Sequence, residues 1–175
     1  FNDVVEMVVK GEAEIGVSCL SRTLSRAQRV HFTIPYFQIC RAVLLNRVKA
    51  SSLDPTIPVK ESLNRKSKTL EALKGSSLFE FAERYFPKAT IKPADTFADG
   101  IERVRKREAL ALIGSEINVF QVLKGRPELS IRIKTVRLQD ATDQLSIAVN
   151  PKCPILQHWI NLYLIKHLPK DPSLN

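Results

Sequence analysis

Residues 11–37 of the 175-residue chain read GEAEIGVSCLSRTLSRAQRVHFTIPYF, and they hold the most distinctive pattern in the sequence. Residues 13–18 are typical of a strand that enters a loop. The loop contains Ser21, and Arg26 follows five residues later. A guanidinium can bind a carboxylate through two parallel hydrogen bonds, and a nearby serine can add a donor. The alternative is that Arg26 belongs to a solvated basic face with Arg22 and Arg29.

Strand and helix patterns alternate along almost the whole chain. We predict helices at 2–10, 78–86, 96–106, 115–125 and 153–167, and strands at 13–18, 40–46, 68–73, 109–113, 129–138 and 145–149. Residues 49–67 are rich in Pro, Ser and Lys and indicate a surface connection. The alternation predicts an α/β protein with largely parallel sheets flanked by helices. The chain begins with a helix where such a domain normally begins with a strand, so we expect that an opening strand–helix portion is missing.

The composition is that of a globular protein, with 44% apolar and 26% charged residues, ten prolines and six glycines. These values exclude disordered, collagen-like and low-complexity chains. No run of 18 apolar residues indicates a membrane span. The net charge of +9 raises the possibility of nucleic-acid binding. However, the basic clusters at 103–107 and 132–137 alternate with apolar positions and lack interleaved aromatic residues, so we expect no nucleic-acid partner.

The cysteines and histidines of the sequence do not indicate a disulfide framework or a metal site. Three widely spaced cysteines, Cys19, Cys40 and Cys153, fit neither a disulfide framework nor a Cys-x-x-Cys metal site, and we predict them to be small buried side chains. The three histidines have no cluster of acidic or cysteine partners, so we expect no metal and no cofactor. Phe1 is not preceded by a signal peptide, which indicates a removed leader or a start within a larger protein.

Gly75-Ser76-Ser77 lies at a predicted strand-to-helix junction. Backbone N–H groups and the positive end of the helix dipole meet at such a junction, and two hydroxyls add donors, so the site suits a carboxylate or phosphate. The alternative is ordinary N-capping by Ser76 or Ser77. Ser115 is placed to cap a later helix in the same way.

The order of these residues resembles a known family. It is similar to solute-binding proteins family 3, the polar-amino-acid-binding type that also forms the ligand-binding core of ionotropic glutamate receptors. The family pattern is G-x-x-D-[IA]-x-x-S-x-x-[ST]-x-T-x-x-R-x-x-x-[IV]-x-F-[ST]-x-P-Y. This chain matches it at Gly11, Ile15, Ser18, Ser21, Thr23, Arg26, Val30, Phe32, Thr33, Pro35 and Tyr36, and has Glu14 in place of the aspartate. Residues 62–87 and 94–116 are similar to the family's second-lobe segments. The resemblance covers residues 1 to about 166.

This resemblance implies a two-lobed, periplasmic-binding-protein-like II fold of α/β class that lacks the N-terminal part of lobe 1. Lobe 1 is then incomplete and consists of residues 1–45 and 145–168, and lobe 2 consists of residues 46–144. Residues 169–175 form a C-terminal tail. The chain is expected to cross between the lobes near 44–49 and 140–145.

The resemblance also implies a ligand site in a cleft between the lobes. Arg26 would bind the ligand's α-carboxylate, and Ser21 with the Ser18–Cys19 backbone would take the carboxylate or amino group. Ser77, with Ser76, would complete the carboxylate site. Amino-acid-binding members place an acid for the ligand's ammonium where this chain has Ser115, followed by Glu116. Three alternatives stay open: Glu116 turns inward, the ligand lacks an α-amino group, or the site no longer binds amino acids.

The function implied is that of a non-enzymatic solute-binding component of ABC-type transport. The ligand would be a small, amino-acid-like carboxylate, and the protein a periplasmic or otherwise extracytoplasmic monomer that closes by a hinge motion and delivers ligand to a membrane permease. One alternative is the sensory or regulatory domain of a larger membrane protein. Another is a cyclohexadienyl-dehydratase-like enzyme with Glu116 as its acid, although Glu116 also fits simple charge matching at a helix N-terminus. We expect no catalytic residues.

Overall fold

The computed structural model describes residues 2–168, and the predicted tail at 169–175 lies outside this range. The chain divides into two compact units. Unit 1 contains the residues up to Ile39 and those from Thr142 onward, and unit 2 contains Cys40–Ala141. The sequence predicted the passages between lobes near 44–49 and 140–145. Each unit is described by itself below.

Unit 1 is built around the last residues of a long strand. Its elements are α1 Asn2–Lys10, β1 Ile15–Ser21, α2 Leu24–Ala27, β2 His31–Phe32, the end of β7 (Ile133–Val149) and α8 Pro154–His167. Both β1 and β2 pair antiparallel with β7. The register of β1 shifts between Gly16 and Leu20, and Cys19 within this bulge has a φ of 47°. A bulge re-aims the side chains that follow it, and here these include Ser21.

Helix α1 packs closely on β1 because β1 carries glycine at the contact. A Cβ at Gly16 would lie 2.8 Å from Val4 Cγ1, which is too close for any larger residue without rearrangement. Val5 and Val8 of α1 are buried together with Leu20. The apolar spacing that predicts this helix therefore also identifies its buried face.

Unit 2 is a helix-flanked sheet with the strand order β3-β6-β4-β5. The strands are β3 Phe37–Asn46, β4 Thr69–Leu73, β5 Thr90–Ala94 and β6 Ala111–Ser115. Strand β4 pairs parallel with both β5 and β6, and β3 pairs antiparallel with β6. The helices are α3 Arg47–Ala50, α4 Val59–Leu63, α5 Ser77–Tyr85, α6 Phe97–Arg105 and α7 Glu116–Gly125, followed by a 3-10 helix at Pro127–Ile131.

The sheet of unit 2 is buried on both faces. Ile113 packs with Leu70 and Phe86 on one face, whereas its neighbour Leu112 packs with Ile101 on the other. Successive residues of a strand point to opposite faces, so a strand covered on both sides must be apolar throughout. This requirement explains the uninterrupted apolar run that predicted β6.

The parallel pairing of β4 and β6 brings two helix starts to one edge of the sheet. Each strand is followed by a helix: three residues separate the end of β4 from α5, and α7 begins directly after β6. The carboxyl ends of parallel strands meet at a common edge, which is where α/β proteins generally bind ligands. Ser76, Ser77 and Ser115 therefore lie at the same edge of unit 2.

Secondary-structure predictions are wrong in two regions of the chain. Residues 129–138 and 145–149 were predicted as two strands, but 127–131 form the 3-10 helix and residues 133–149 form one continuous strand of 17 residues. The alternation at 129–131 came from a buried Leu129 next to exposed residues, a pattern that a 3-10 turn also gives. Residues 49–67, predicted as a plain connection, contain α4 and the end of α3.

Burial differs from the prediction at the cysteines, and α8 exposes several of its apolar residues. Cys19 is exposed, and Cys40 and Cys153 are only partly buried, so they are not the small core residues that were predicted. In α8, Trp159 is 61% exposed and the buried residues are Ile160 and Leu164. Other exposed apolar residues of this helix are Ile155, Leu162, Tyr163 and Ile165. Helical spacing predicted the helix correctly, although most of the apolar residues that give this spacing are exposed.

Glu71 is a buried acid in the middle of β4. Its Oε2 atom lies 3.3 Å from Arg103 Nε. Burial raises the pKa of Glu71 despite the opposing effect of Arg103 and Lys92. An acid whose pKa is higher in the folded state favours the protonated form, so its contribution to stability is present below the unfolded pKa and is lost as the pH rises through the folded pKa.

We therefore expect Glu71→Gln to remove the free-energy cost of burying an ionised carboxylate, a cost that depends on pH. The free energy of unfolding of the variant, relative to the parent, should increase as the pH rises from about 4 toward 7, since only the parent must bury a charge at the higher pH. Urea denaturation at several pH values measures this difference. The exposed Glu83→Gln is the matched control and should show no such trend. A relative stability of Glu71→Gln that falls with pH would contradict the prediction.

Candidate functional site

In unit 1, Ser21 and Arg26 are brought together by a short turn between β1 and α2. Thr23 caps α2 by accepting a hydrogen bond from the Arg26 backbone nitrogen at 3.3 Å. The Arg26 side chain turns back, and its Nη1 donates to the Ser21 carbonyl oxygen at 3.2 Å. Arg26 is only 8% exposed. The interpretation of residues 22–29 as a uniformly solvated basic face therefore does not apply to Arg26, although Arg29 is exposed and pairs with Glu6.

Ser21 also contacts a buried acid that the sequence patterns did not identify. Its Oγ donates to Asp143 Oδ2 at 2.7 Å, and Asp143 is 9% exposed. The contact follows from strand pairing, because Ser21 lies opposite Leu145 of β7 and Asp143 is two residues from Leu145 on the same face. One serine thus connects a buried guanidinium to a buried carboxylate within unit 1.

Ser18 and Cys19 lie just before this group on the bulged part of β1. Ser18 is partly buried and Cys19 is exposed. Cys19 lies beside Tyr36, and burial together with the neighbouring Cys19 raises the pKa of Tyr36. The Tyr36 backbone nitrogen donates to the Leu145 carbonyl at 2.9 Å, which holds this tyrosine against β7.

In unit 2, all four of the predicted site residues lie at helix starts. Ser76 is the N-cap of α5 and accepts from the Phe79 backbone nitrogen at 3.3 Å, so the capping interpretation holds for Ser76. Gly75 before it has a φ of 65°, a conformation that favours glycine. Ser115 caps α7 in a capping box with Asn118, whose side chain accepts from the Ser115 hydroxyl at 2.8 Å. Both hydroxyls therefore take part in helix caps.

Arg41 is a second buried arginine and was also missed from the sequence. It lies on β3 with 5% of its surface exposed, directly opposite Ser115 in the strand register. Its Nη2 is 3.5 Å from Ser77 Oγ, and its guanidinium carbon lies 5.3 Å from the centre of the Phe81 ring. Residues directly opposite each other on paired strands project from the same face. Arg41 thus places a positive charge beside the serines at the edge of unit 2.

Glu116, the first residue of α7, is engaged inside unit 2. Its Oε1 accepts from the Cys40 backbone nitrogen at 2.8 Å, and its Oε2 lies 3.0 Å from Arg137 Nη2. Arg137 also donates to Cys40 Sγ at 3.3 Å, and the Cys40 thiol and the Glu116 carboxylate together raise the pKa of Arg137. Both oxygens of the Glu116 carboxylate are therefore bound by groups of the protein.

The two units thus present different chemistry. Unit 1 joins a guanidinium, a hydroxyl and a carboxylate at Arg26, Ser21 and Asp143, whereas unit 2 joins a guanidinium to hydroxyls at Arg41 and Ser77. The sequence did contain a signal for Arg41, because a charged residue interrupts the apolar run CRAVLLN. Asp143 gave no comparable signal, since its importance depends on the pairing of β1 with β7.

Other kinds of site have little support within residues 2–168. No group of three or more His, Cys, Asp and Glu side chains in this range could hold a metal ion. No helix of the described chain has the length and apolar character needed to cross a membrane.

Comparisons of the fold with solved structures give clear similarities, although the sequence matches no protein-family model and no curated protein. A candidate ABC-transporter binding component from Wolinella succinogenes, complexed with lysine, is 21% identical with a TM-score of 0.78, over 95% of this chain and 69% of that chain. The GluR0 ligand-binding core with L-glutamate is 19% identical with a TM-score of 0.77, over 94% and 70%.

A third similar structure bears on the enzymatic alternative. The ancestral amino-acid-binding protein AncCDT-1, a precursor of cyclohexadienyl dehydratase, is 22% identical with a TM-score of 0.70, over 93% of this chain and 66% of that chain. This chain therefore spans about two thirds of the length of these three proteins. All three are described as binding proteins or a binding core rather than as enzymes. The chain has their fold, the mixed α/β, two-lobed, periplasmic-binding-protein-like fold that residues 11–37 predicted.

Proposed function

We propose that this protein is an extracytoplasmic solute-binding component of ABC-type transport that binds a small, amino-acid-like carboxylate. The proposed ligand-binding residues are Ser18, Cys19, Ser21 and Arg26 in unit 1, and Ser76, Ser77 and Ser115 in unit 2. Unit 1 is assigned to lobe 1 of the fold and unit 2 to lobe 2. Glu116 belonged to the predicted set, but its engagement with Cys40 and Arg137 favours a structural role.

The observation that carries the proposal is the buried guanidinium of Arg26 beside Ser21. Burying a charge is costly, and arginine is rarely buried unless it serves an anionic or polar partner. Its planar fork matches a carboxylate bidentately, and a buried guanidinium loses less of this attraction to water than an exposed one does. A hydrogen bond to a charged group contributes about 1.5–3 kcal/mol.

The ligands of similar proteins support the same chemical class. Lysine and L-glutamate, the ligands in two of the solved structures, share an α-carboxylate. Sequence identities of about 20% establish only a common fold. The inference that this chain binds a carboxylate therefore depends on Arg26 and Ser21 as well as on the similarity.

The two alternative functions, a dehydratase-like enzyme and a sensory domain, require different features of the protein. A dehydratase-like enzyme needs an acid able to exchange a proton with its substrate, and Glu116 is instead held by Cys40 and Arg137. A sensory role remains the second candidate, because the GluR0 binding core is structurally similar. Membrane fractionation of the full-length protein tests the sensory role: a receptor stays in the membrane fraction through its membrane-spanning domain, so a protein that is released free contradicts it.

The proposed function is tested by comparing acids with their amides. The full-length protein is screened by thermal shift against the proteinogenic amino acids, and each hit is titrated by calorimetry beside its α-carboxamide. We expect at least one amino acid to bind, and its amide to bind roughly tenfold or more weakly, since the amide loses a charge-assisted hydrogen bond. A hit whose amide binds equally well, or a complete absence of hits, contradicts the proposal.

A further inference from the structure

Unit 2 carries almost all of the net positive charge of the protein. Its residues Cys40–Ala141 include 20 Lys or Arg and 12 Asp or Glu, whereas the rest of the chain has 7 basic and 6 acidic residues. The net charge of +9 therefore divides into +8 for unit 2 and +1 for unit 1. The proposed ligand-binding residues of unit 2 are serines, so they do not account for this excess.

Much of the excess lies at one edge of the unit 2 sheet, opposite to the edge that carries Ser76, Ser77 and Ser115. Strands β4, β5 and β6 begin at this edge, and the antiparallel β3 ends there. Backbone hydrogen bonds join the connections that meet at the edge. They run from Thr90 N to Lys68 O (2.9 Å), from Leu110 N to Thr69 O (3.0 Å), from Asn46 N to Leu110 O (3.1 Å) and from Arg47 N to Arg132 O (2.8 Å).

These connections contain eleven basic residues and one acidic residue, Glu108. The connections are residues 47–50, 64–68, 86–90, 105–110 and 132–134. We call their basic residues the basic edge: Arg47, Lys49, Arg65, Lys66, Lys68, Lys88, Arg105, Lys106, Arg107, Arg132 and Lys134. All eleven are exposed or partly exposed, and within the described part of the chain only Arg105 forms an ion pair, with Glu102 at 2.7 Å.

Helix ends explain only a small part of this charge. Helices α5 and α6 end at this edge, and the C-terminus of a helix carries about −0.5 elementary charge. The two helix ends together with Glu102 and Glu108 supply about three negative charges. Roughly eight positive charges therefore remain unbalanced, and such a surplus opposes the compact state by self-repulsion and is typical of a surface that attracts anions.

We propose that the basic edge binds the surface of a membrane that contains anionic phospholipids. This inference goes beyond the proposed function, although the choice of a lipid partner rests in part on the proposed extracytoplasmic location. Clusters of Lys and Arg are attracted to anionic lipid headgroups, and the attraction acts within a Debye length, about 10 Å at 0.1 M salt. The five connections spread their charges over the edge, as contact with an extended surface requires.

The composition of the basic edge fits a lipid surface better than a protein or a nucleic acid. Six of its eleven residues are lysines, which are depleted in protein–protein interfaces. The one aromatic residue of the five connections, Phe86, is completely buried. Hot spots of protein interfaces and sites for single-stranded nucleic acids both depend on accessible aromatic side chains. An anionic membrane needs only several cations within reach of its headgroups.

The experiment measures how the full-length protein partitions onto lipid vesicles. Sedimentation compares vesicles of phosphatidylcholine containing about 30 mol% phosphatidylglycerol with vesicles of phosphatidylcholine alone. Each basic residue near an anionic surface strengthens binding roughly fivefold, so three or more in contact give a preference for the anionic vesicles of roughly 100-fold at about 0.1 M salt. The preference should fall steeply at about 0.5 M salt. Equal binding to both kinds of vesicle overturns the proposal.

Two triple variants locate the contact. Lys66→Gln/Lys88→Gln/Lys106→Gln removes three exposed lysines of the basic edge, and the matched control Lys10→Gln/Lys152→Gln/Lys166→Gln removes three exposed lysines of unit 1. Both variants have the same net charge. We expect the first to lose roughly 100-fold in partition onto anionic vesicles and the control to lose less than about threefold. Equal losses would show that the net charge, and not the basic edge, attracts the lipid.

Two further arms separate the lipid from other anionic partners. Duplex DNA and poly-L-glutamate are titrated at the same concentration of negative charge, and tighter binding to either of them than to the anionic vesicles contradicts the proposal. No amino acid is present in the vesicle assay, so its failure leaves carboxylate binding intact, and a failed amino-acid screen leaves the measured lipid preference intact. The parent comparison needs no variant, so a triple variant that does not fold still leaves a decisive result.

Discussion

Replacement of Arg26 by alanine is expected to weaken the binding of the cognate carboxylate by roughly 30- to several-thousand-fold. This range corresponds to the cost of about 2–5 kcal/mol for removing one partner of a buried, hydrogen-bonded charge pair. The structural basis is that Arg26 is 8% exposed and held by Ser21 at 3.2 Å. Calorimetry on the full-length variant, with the best amino acid from the screen as titrant, measures the change in Kd.

Arg29→Ala is the matched control for this experiment. Arg29 is three residues away, carries the same charge and is exposed in an ion pair with Glu6. Exposed ion pairs are screened by water and contribute little, so Arg29→Ala should change neither the stability nor the Kd by much. Arg26→Lys keeps the charge but not the fork, and an intermediate Kd is expected. Unchanged binding by folded Arg26→Ala would show that another group holds the carboxylate.

Replacement of Phe86 by alanine is expected to have the largest effect on stability, about 3–5 kcal/mol in the free energy of unfolding. Phe86 is completely buried in unit 2, where it packs with Leu70 and Ile113 and lies edge-on to Tyr85 at a centroid distance of 4.9 Å. Removing the ring loses the favourable free energy of transferring it from water into the core, and it leaves a cavity in the packed interior. Chemical denaturation followed by circular dichroism measures the loss.

Phe120→Ala provides the contrast for Phe86→Ala. Phe120 lies on α7 and is 66% exposed, and Lys124 Nζ is 5.9 Å from its ring centre. Surface substitutions of this kind usually change stability by less than about 0.5 kcal/mol. Equal losses for the two variants would mean that burial of Phe86 does not stabilise the protein as the structure indicates.

The sequence was sufficient for the elements whose pattern is set by local rules. The Ser115 cap and the Gly125 end of α7 were predicted at the residues where they occur, because capping chemistry is local. The apolar run that predicted β6 is a consequence of burial on both faces. The α/β fold class was confirmed for the same reason: the alternation of such segments is visible in the chain itself.

The sequence was insufficient where a residue's role depends on a distant partner. Asp143 reaches Ser21 only through the pairing of β1 with β7. Arg41 meets Ser115 only through the pairing of β3 with β6. The buried face of α8 could not be read from the sequence for a related reason: apolar residues occur on several sides of this helix, and spacing alone does not say which of them a neighbour covers. The assignment to a ligand remains a prediction for every proposed site residue: Ser18, Cys19, Ser21, Arg26, Ser76, Ser77 and Ser115.

The long strand β7 has a consequence for the order in which the protein can assemble. Unit 2 is one uninterrupted stretch of chain, whereas unit 1 needs both an early and a late stretch. On the ribosome, β1 emerges long before its partner, since Ser21 pairs with Leu145 and Ile15 with Val149. Contacts between distant residues form slowly because the intervening loop must first be closed. We therefore expect unit 2 to collapse first during translation, and the Ser21–Asp143 contact to be among the last native contacts acquired.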